Sequence, residues 1–236
     1  MVAIIAAAGR GTRMAPLTGG KAKELLPLGS RSVLARILAE AREAGADRIV
    51  VVNSREKPEI DAAVEGMADV RVAYQSRMRG VADAIAAADV REDALIMMGD
   101  AVFQGGSPSA RLRQALVGAD GAIAVETVDD AHVSLYGIVV GSPRVERILE
   151  KPAPDETPSR AAVAARYSLN ARMMEFLHLR VRELGSQGSE ITLTQILMDA
   201  IRDGAEFVPI ALAAGERRVD CGSPEEYAEA VRIPWE

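Results

Sequence analysis

Apolar residues recur along this chain in two rhythms. Residues 2–7 form an unbroken run of small apolar side chains, the pattern of a strand buried on both faces. Val33, Leu34, Ile37, Leu38 and Ala41 instead return at helical spacing, and Gly45 supplies a stop. The alternation continues with strands at 48–52, 70–74 and 94–98 and helices at 58–67 and 80–88. It predicts an α/β fold, a mostly parallel central sheet with helices on both faces. Beyond residue 120 the pattern shortens into strands at 121–127, 137–140 and 145–150, a proline-rich acidic loop at 152–158, and a strand at 161–169. The second half thus changes character to short strands with brief connections. Helical patterns follow at 171–184 and 193–201, then a strand at 207–211, a turn around Asp220-Cys221-Gly222 and a helix from about Ser223. No repeat or long linker interrupts the chain, so residues 1–236 read as a single domain.

Composition narrows the classes. Of 236 residues, 49% are hydrophobic but only 3% aromatic, so the core is built from Ala, Val, Ile, Leu and Met. The net charge is −6 and no basic stripe appears, which argues against nucleic acid or a membrane surface as partner. No apolar run approaches a membrane span, and the apolar start lacks the basic leader of a signal peptide. A lone cysteine, Cys221, forms no internal disulfide and fits a reducing cytoplasm. The two histidines, His132 in a polar stretch and His178 in a helical one, exclude a His-rich zinc site and leave little for a Ser–His–Asp arrangement.

In so acidic a protein the cations Arg10, Arg13, Lys21 and Lys23 stand out, because they fall in one stretch directly after the first strand. Glycines there, Gly9 and Gly11, let the backbone approach a ligand and turn N–H groups toward an anion. The dinucleotide fingerprint fails, since Met14 stands where its third glycine belongs. The P-loop fails as well, since Gly20-Lys21 is followed by Ala22.

The longer pattern is more specific. Gly9-x-Gly11-Thr12-Arg13-Met14-x-Pro16-x-Thr18, followed by Lys23-Glu24-Leu25-Leu26-Pro27, resembles the signature of the sugar-1-phosphate nucleotidylyltransferases. Within them the chain is most similar to bacterial UTP–glucose-1-phosphate uridylyltransferases, with the thymidylyltransferases close behind. The resemblance implies transfer of a nucleoside monophosphate to a sugar 1-phosphate with release of pyrophosphate. It implies a Rossmann-like α/β sheet with a small sugar-binding β lobe, and it divides the chain into a nucleotide-binding half, 1–120, and a sugar-binding half, 121–236.

Carried over residue by residue, the resemblance implies a nucleotide site at Ala8, Gly9, Gly11, Thr12, Arg13, Gln75 and Gly80. The Gln75 amide would read the pyrimidine edge. Gly137, Glu150, Lys151 and Tyr167 would meet the sugar phosphate, with Lys151 on the phosphate. Asp100, at a strand end in Met98-Gly99-Asp100, and Asp220, in Val219-Asp220-Cys221-Gly222, would hold Mg²⁺. Arg13, Lys23 and Lys151 would carry the chemistry by aligning and neutralising the phosphates. Two departures are visible: Ala165 replaces a glycine of a Gly-Arg-Tyr segment, and Gln195 replaces an aspartate after Glu190-Ile191-Thr192-Leu193-Thr194. The segment Asn53-Ser54-Arg55-Glu56-Lys57 reads as a polar helix start without a catalytic role. A thymidylyltransferase, an enzyme for another sugar, and a nucleotide-sugar sensor on the same fold remain as alternatives, and assembly into a homo-oligomer is open.

Overall fold

The structure is a computed structural model that describes residues 1–185 and 190–235. The first half alternates as its apolar rhythm predicts. Strand β1 (Val2–Ala6) leads through a glycine loop, a 3₁₀ turn (Thr12–Met14) and a single helical turn, α1 (Ala15–Thr18). A second 3₁₀ turn (Lys23–Leu25) and a two-residue hairpin, β2 (Pro27–Leu28) and β3 (Arg31–Ser32), precede α2 (Val33–Glu43). Then come β4 (Arg48–Asn53), α3 (Pro58–Val64), β5 (Val70–Tyr74), α4 (Val81–Ala87), β6 (Ala94–Met98), β7 (Ala101–Gln104) and α5 (Ser109–Ala115). The second half contains β8 (Gly121–Thr127), β9 (Gly137–Val140), β10 (Arg147–Glu150), β11 (Ala161–Leu169), α6 (Ala171–Leu184), α7 (Leu193–Arg202), β12 (Phe207–Ala211), β13 (Arg217–Asp220) and α8 (Pro224–Ala230).

Nine of these strands make one sheet, ordered β10-β9-β11-β6-β1-β4-β5, with β8 on β11 and β12 on β8. Strands β6, β1, β4 and β5 are mutually parallel, and β1 lies between β4 and β6 in matched register. The unbroken apolar run of β1 follows from this placement. Val2 and Ile4 enter the core on one face, Ala3 and Ile5 the core on the other, and all four are nearly solvent-free. The predicted β lobe is an antiparallel continuation of the same sheet through β11.

The sheet forks within β11. Its first residues, Ala161 and Ala162, pair with β9, while Arg166 to Leu169 pair with β6. Between them the pairing with β8 shifts register, and Ala165 adopts a left-handed φ of 56°. Helix starts are fixed by side chains the sequence offers: Ser32, Asn170, Thr192 and Ser223 each accept a backbone N–H of the first turn. Thr192 therefore caps α7, receiving the Gln195 N–H at 3.1 Å.

The sequence pattern missed α1, the β2–β3 hairpin, α5, β7 and β13. The first two are too short to show a period. Strands β7 and β13 form their own antiparallel pair, with Ala101 opposite Asp220, so the residues read as a turn at Asp220 begin one position later. No described helix is long and apolar enough to cross a membrane.

Candidate active site

Chain order creates the cleft. Strand β4 follows β1 on one side and β6 lies on the other, so the connections leave the carboxyl ends of β1 and β6 in opposite directions. Ligands of open α/β sheets bind outside such a point. A cavity of about 620 Å³ opens there, lined by Ala8, Gly9, Arg10, Thr12, Lys23, Gln75, Gly80 and Asp100, among others. A second cavity of about 300 Å³ lies in the fork of β11, lined by Gly137, Glu150, Val163, Ala165, Tyr167, Thr194 and Arg218, among others. The two share Val81, Met98 and Glu190, so they form one continuous cleft.

The glycine loop is held from below. Gly11 has a φ of 61°, which a glycine adopts without cost, and starts the turn that exposes Thr12 and Arg13 while burying Met14. Behind it Lys57, 5% exposed, donates to the Ala7 carbonyl and to both oxygens of the buried Glu24 carboxylate, each at 3.0 Å. Burial pushes the Glu24 carboxyl up, and the Lys57 charge offsets only part of that. Asn53, solvent-free, donates to the Lys57 carbonyl and to Asp61. The segment read as a plain helix start is thus the buttress of the loop and of the Lys23 turn. An asparagine closing an apolar strand, with a lysine four positions on, was the available signal.

At the far wall Gln75 is buried, and its amide nitrogen donates to the Gly80 carbonyl and to Asp83, both at 3.0 Å. Its two N–H groups are thereby engaged, and the amide oxygen is the group left to face a ligand. Gly80 has a φ of 100°, and a Cβ there would lie 2.5 Å from the Ile191 carbonyl oxygen. The glycine is therefore required by its contact with the segment before α7 as well as by any ligand.

Two aspartates expected far apart in sequence meet through the β7–β13 pair. The Cys221 N–H donates to the Asp100 carbonyl at 2.7 Å, which sets Asp220 beside Asp100. A Cβ on Gly222 would lie 3.4 Å from both Asp100 Oδ2 and the Arg13 guanidinium, and 3.1 Å from Glu226. Lys23 Nζ sits 2.6 Å from Asp100 Oδ2. Burial raises the Asp100 pKa, but Lys23, a backbone hydrogen bond and Arg13 together hold it below the usual value. Asp220 goes the other way, pushed up to about 6 by burial and by the Asp100, Glu226 and Glu126 carboxylates, against the pull of Arg218. Burial and the Asp220, Asp100 and Glu226 carboxylates push the Cys221 thiol up to about 12, so it stays a protonated packing residue.

In the fork, Thr194 donates to Glu150 at 2.9 Å, and burial raises the Tyr167 hydroxyl pKa. Arg218 is nearly buried, 2.6 Å from Glu126 and 3.4 Å from Asp220, with its guanidinium 4.2 Å from the Tyr136 ring centroid. It joins the second aspartate to the fork and was not anticipated. Its place two residues before Asp220, on the same face of a strand, was the legible sign. Lys151 is exposed at the end of β10 with a φ of 47°, next to Glu150 but outside the cavity walls. Lys21 is exposed and likewise absent from those walls. His178 is buried in α6, where Nε2–H donates to the Val90 carbonyl, and His132 pairs with Asp129 at the surface.

Comparison with known proteins places this architecture. The nucleotidyl transferase family model matches residues 2–233, and the chain belongs to that family. A UTP–glucose-1-phosphate uridylyltransferase of Haloferax volcanii is 29% identical over 98% of this chain and 95% of its own length. One of Pseudomonas aeruginosa is 27% identical over 98% and 94%. Among solved structures, a UDP-glucose pyrophosphorylase of Acinetobacter baumannii superposes with a TM-score of 0.83 at 25% identity, covering 98% of this chain and 92% of its own. A putative glucose-1-phosphate thymidylyltransferase of Bacillus anthracis shares the fold, with a TM-score of 0.84 at 19% identity over 100% of this chain and 98% of its own.

Proposed function

We propose that this protein is a UTP–glucose-1-phosphate uridylyltransferase, joining UMP from UTP to glucose 1-phosphate and releasing pyrophosphate. The observation that carries the reading is the continuous cleft, in which a cation-flanked glycine loop opens directly onto a cavity lined by Glu150, Glu190 and Tyr167. The relatives spanning nearly the whole chain support the same substrates. A uracil or thymine N3–H is a donor that suits the free Gln75 oxygen.

A phosphate oxygen of the sugar phosphate attacks the α-phosphorus in line. The new P–O bond forms as the bond to the β-phosphate oxygen breaks, and pyrophosphate takes the electron pair. The attacking oxygen is already anionic, so no general base is needed. What the chain supplies is alignment and charge neutralisation. Arg10, Arg13 and Lys23 hold the triphosphate, with the loop at Ala8, Gly9, Gly11 and Thr12 contributing backbone contacts. Lys151, beside Glu150, receives the incoming phosphate. The Glu150 carboxylate accepts from sugar hydroxyls, beside Gly137 and Tyr167.

The donor set fits Mg²⁺. Among the described residues no three or more His, Cys, Asp or Glu gather as a complete metal nest. Mg²⁺ does not need one, since it takes one or two carboxylates plus phosphate oxygens and keeps water. Asp100 and Asp220 would provide those carboxylates, and their mutual repulsion is what a divalent cation relieves. When bound, the ion would neutralise charge on the phosphates as it shifts to pyrophosphate.

The test is pyrophosphate release with Mg²⁺, crossing UTP, dTTP, CTP, GTP and ATP with several sugar 1-phosphates. Release is expected to be greatest with UTP and glucose 1-phosphate. No release with any pair, from folded protein that binds nucleotide, overturns the enzyme reading in favour of a sensor.

A further inference from the structure

Among the described residues lining the cleft, Ala165 in the fork of β11 is the non-glycine residue with a left-handed backbone, and the mechanism does not use it. Ala165 has a Cβ and a φ of 56°, a conformation that L residues other than asparagine and aspartate rarely adopt. Strain of this kind persists where the surroundings over-determine it, and it clusters at functional sites. Here the surroundings can be named. Arg166, solvent-free, donates to the Ala165 carbonyl at 3.0 Å and to the carbonyls of Met98 and Ala101 at 3.3 and 2.8 Å. Its guanidinium is held by both oxygens of the Glu40 carboxylate, at 3.0 and 2.7 Å. Ser107 and Ser109 donate to Glu40 in turn. The backbone at Ala165 is therefore pinned from the core side by a buried ion pair that also grips both flanks of the Gly99-Asp100 turn.

The opposite face of the strand is the cavity wall. Val163, Ala165 and Tyr167 line it, whereas Ala162, Ala164 and Arg166 are turned away and have no exposed surface. Across the fork the wall is Gly137, which adds no side chain, and Glu150. The Ala165 methyl is thus a fixed projection where β11 leaves β9 for β6, not a group that yields when a ligand enters.

We propose that Ala165 is a specificity-determining residue: its pinned methyl group limits the sugar 1-phosphates this cleft accepts to those without a bulky or misdirected substituent facing the fork. This rests on the sugar-phosphate reading of that cavity. Differences of one methyl group in a pocket separate competing substrates by roughly ten- to two-hundredfold.

The experiment is Ala165→Gly, a change that eases the backbone rather than straining it. Two quantities are read for the native protein and the variant. One is kcat/KM with UTP for glucose, galactose, mannose and N-acetylglucosamine 1-phosphates. The other is the calorimetric Kd for UDP-glucose and UDP-N-acetylglucosamine. The expected result is a rise of roughly tenfold or more in the ratio of at least one non-glucose sugar to glucose, with KM for UTP unmoved. Ratios that stay within about twofold, in a native protein active on glucose 1-phosphate, overturn the proposal and leave the activity reading intact. A native protein that neither releases pyrophosphate nor binds a UDP-sugar removes the sugar reading and this proposal together.

Discussion

Asp220→Asn should make the metal-free protein more stable while disabling it. The Asp220 carboxyl stands at about 6 against an ordinary 3.8, because it is buried beside Asp100, Glu226 and Glu126. Its side chain is 23% exposed, so solvent screens it only in part. A group whose folded pKa is raised leaves stability intact below the unfolded pKa and costs stability as pH rises through the folded one. The penalty is therefore small near pH 4, grows between about 4 and 6, and is complete at about pH 7.5. At ~1.36 kcal/mol per pH unit, the gap from 3.8 to about 6 amounts to about 3 kcal/mol. Asparagine keeps the shape of the neutral acid and removes the charge, and Arg218 keeps Glu126 at 2.6 Å. Urea denaturation with a chelator present should show a gain of up to about 3 kcal/mol at about pH 7.5 and only a small one near pH 4. For a domain of this size the gain at the higher pH corresponds to about 6–12 °C in Tm. Turnover should fall steeply at the same time, the usual relation between a strained site and its activity. An equal gain at both pH values, or a less stable variant at the higher one, would refute the electrostatic argument.

Other perturbations probe other parts of the site. Asp100→Asn should lower kcat by roughly a hundredfold or more across Mg²⁺ concentrations with the fold retained; full activity would remove Asp100 from the metal assignment. Lys57→Met leaves the buried Glu24 carboxylate alone and should cost about 3–5 kcal/mol in denaturant unfolding, whereas Glu24→Gln paired with Lys57→Met should recover part of it. Gly80→Ala places a methyl 2.5 Å from the Ile191 carbonyl in a left-handed backbone, so both Tm and nucleotide affinity should drop. An unchanged Tm there would mean that the segment before α7 moves freely.

Much of this protein was legible without coordinates, for a physical reason. The runs in β1, β4 and β6 are apolar because those strands are covered on both faces, and the period of 3.6 in α2 and α6 marks a helix with one buried side. Ser223 announces a helix start because a cap is a local interaction. The glycine loop and the motif at Lys23 were likewise readable, since their chemistry lies within one stretch. What acts across the sheet was not. Strand β13 is four residues long and has no period of its own; it exists because β7, more than a hundred residues earlier, offers its backbone, and that pairing alone brings Asp220 to Asp100. Lys57 looks like a surface lysine until the glycine loop folds over it, and Arg166 looks like any strand arginine until Glu40 of α2 arrives. Nothing local tells Ala165 to take a positive φ; the fork of β11 and the buried guanidinium impose it. Sequence by itself determined the longer elements, their layering and where the cations cluster, because periodicity, capping and charge are short-range properties. Only the tertiary structure decided which of those residues meet, at what ionisation, and against which wall, because burial and long-range pairing are properties of the packed chain.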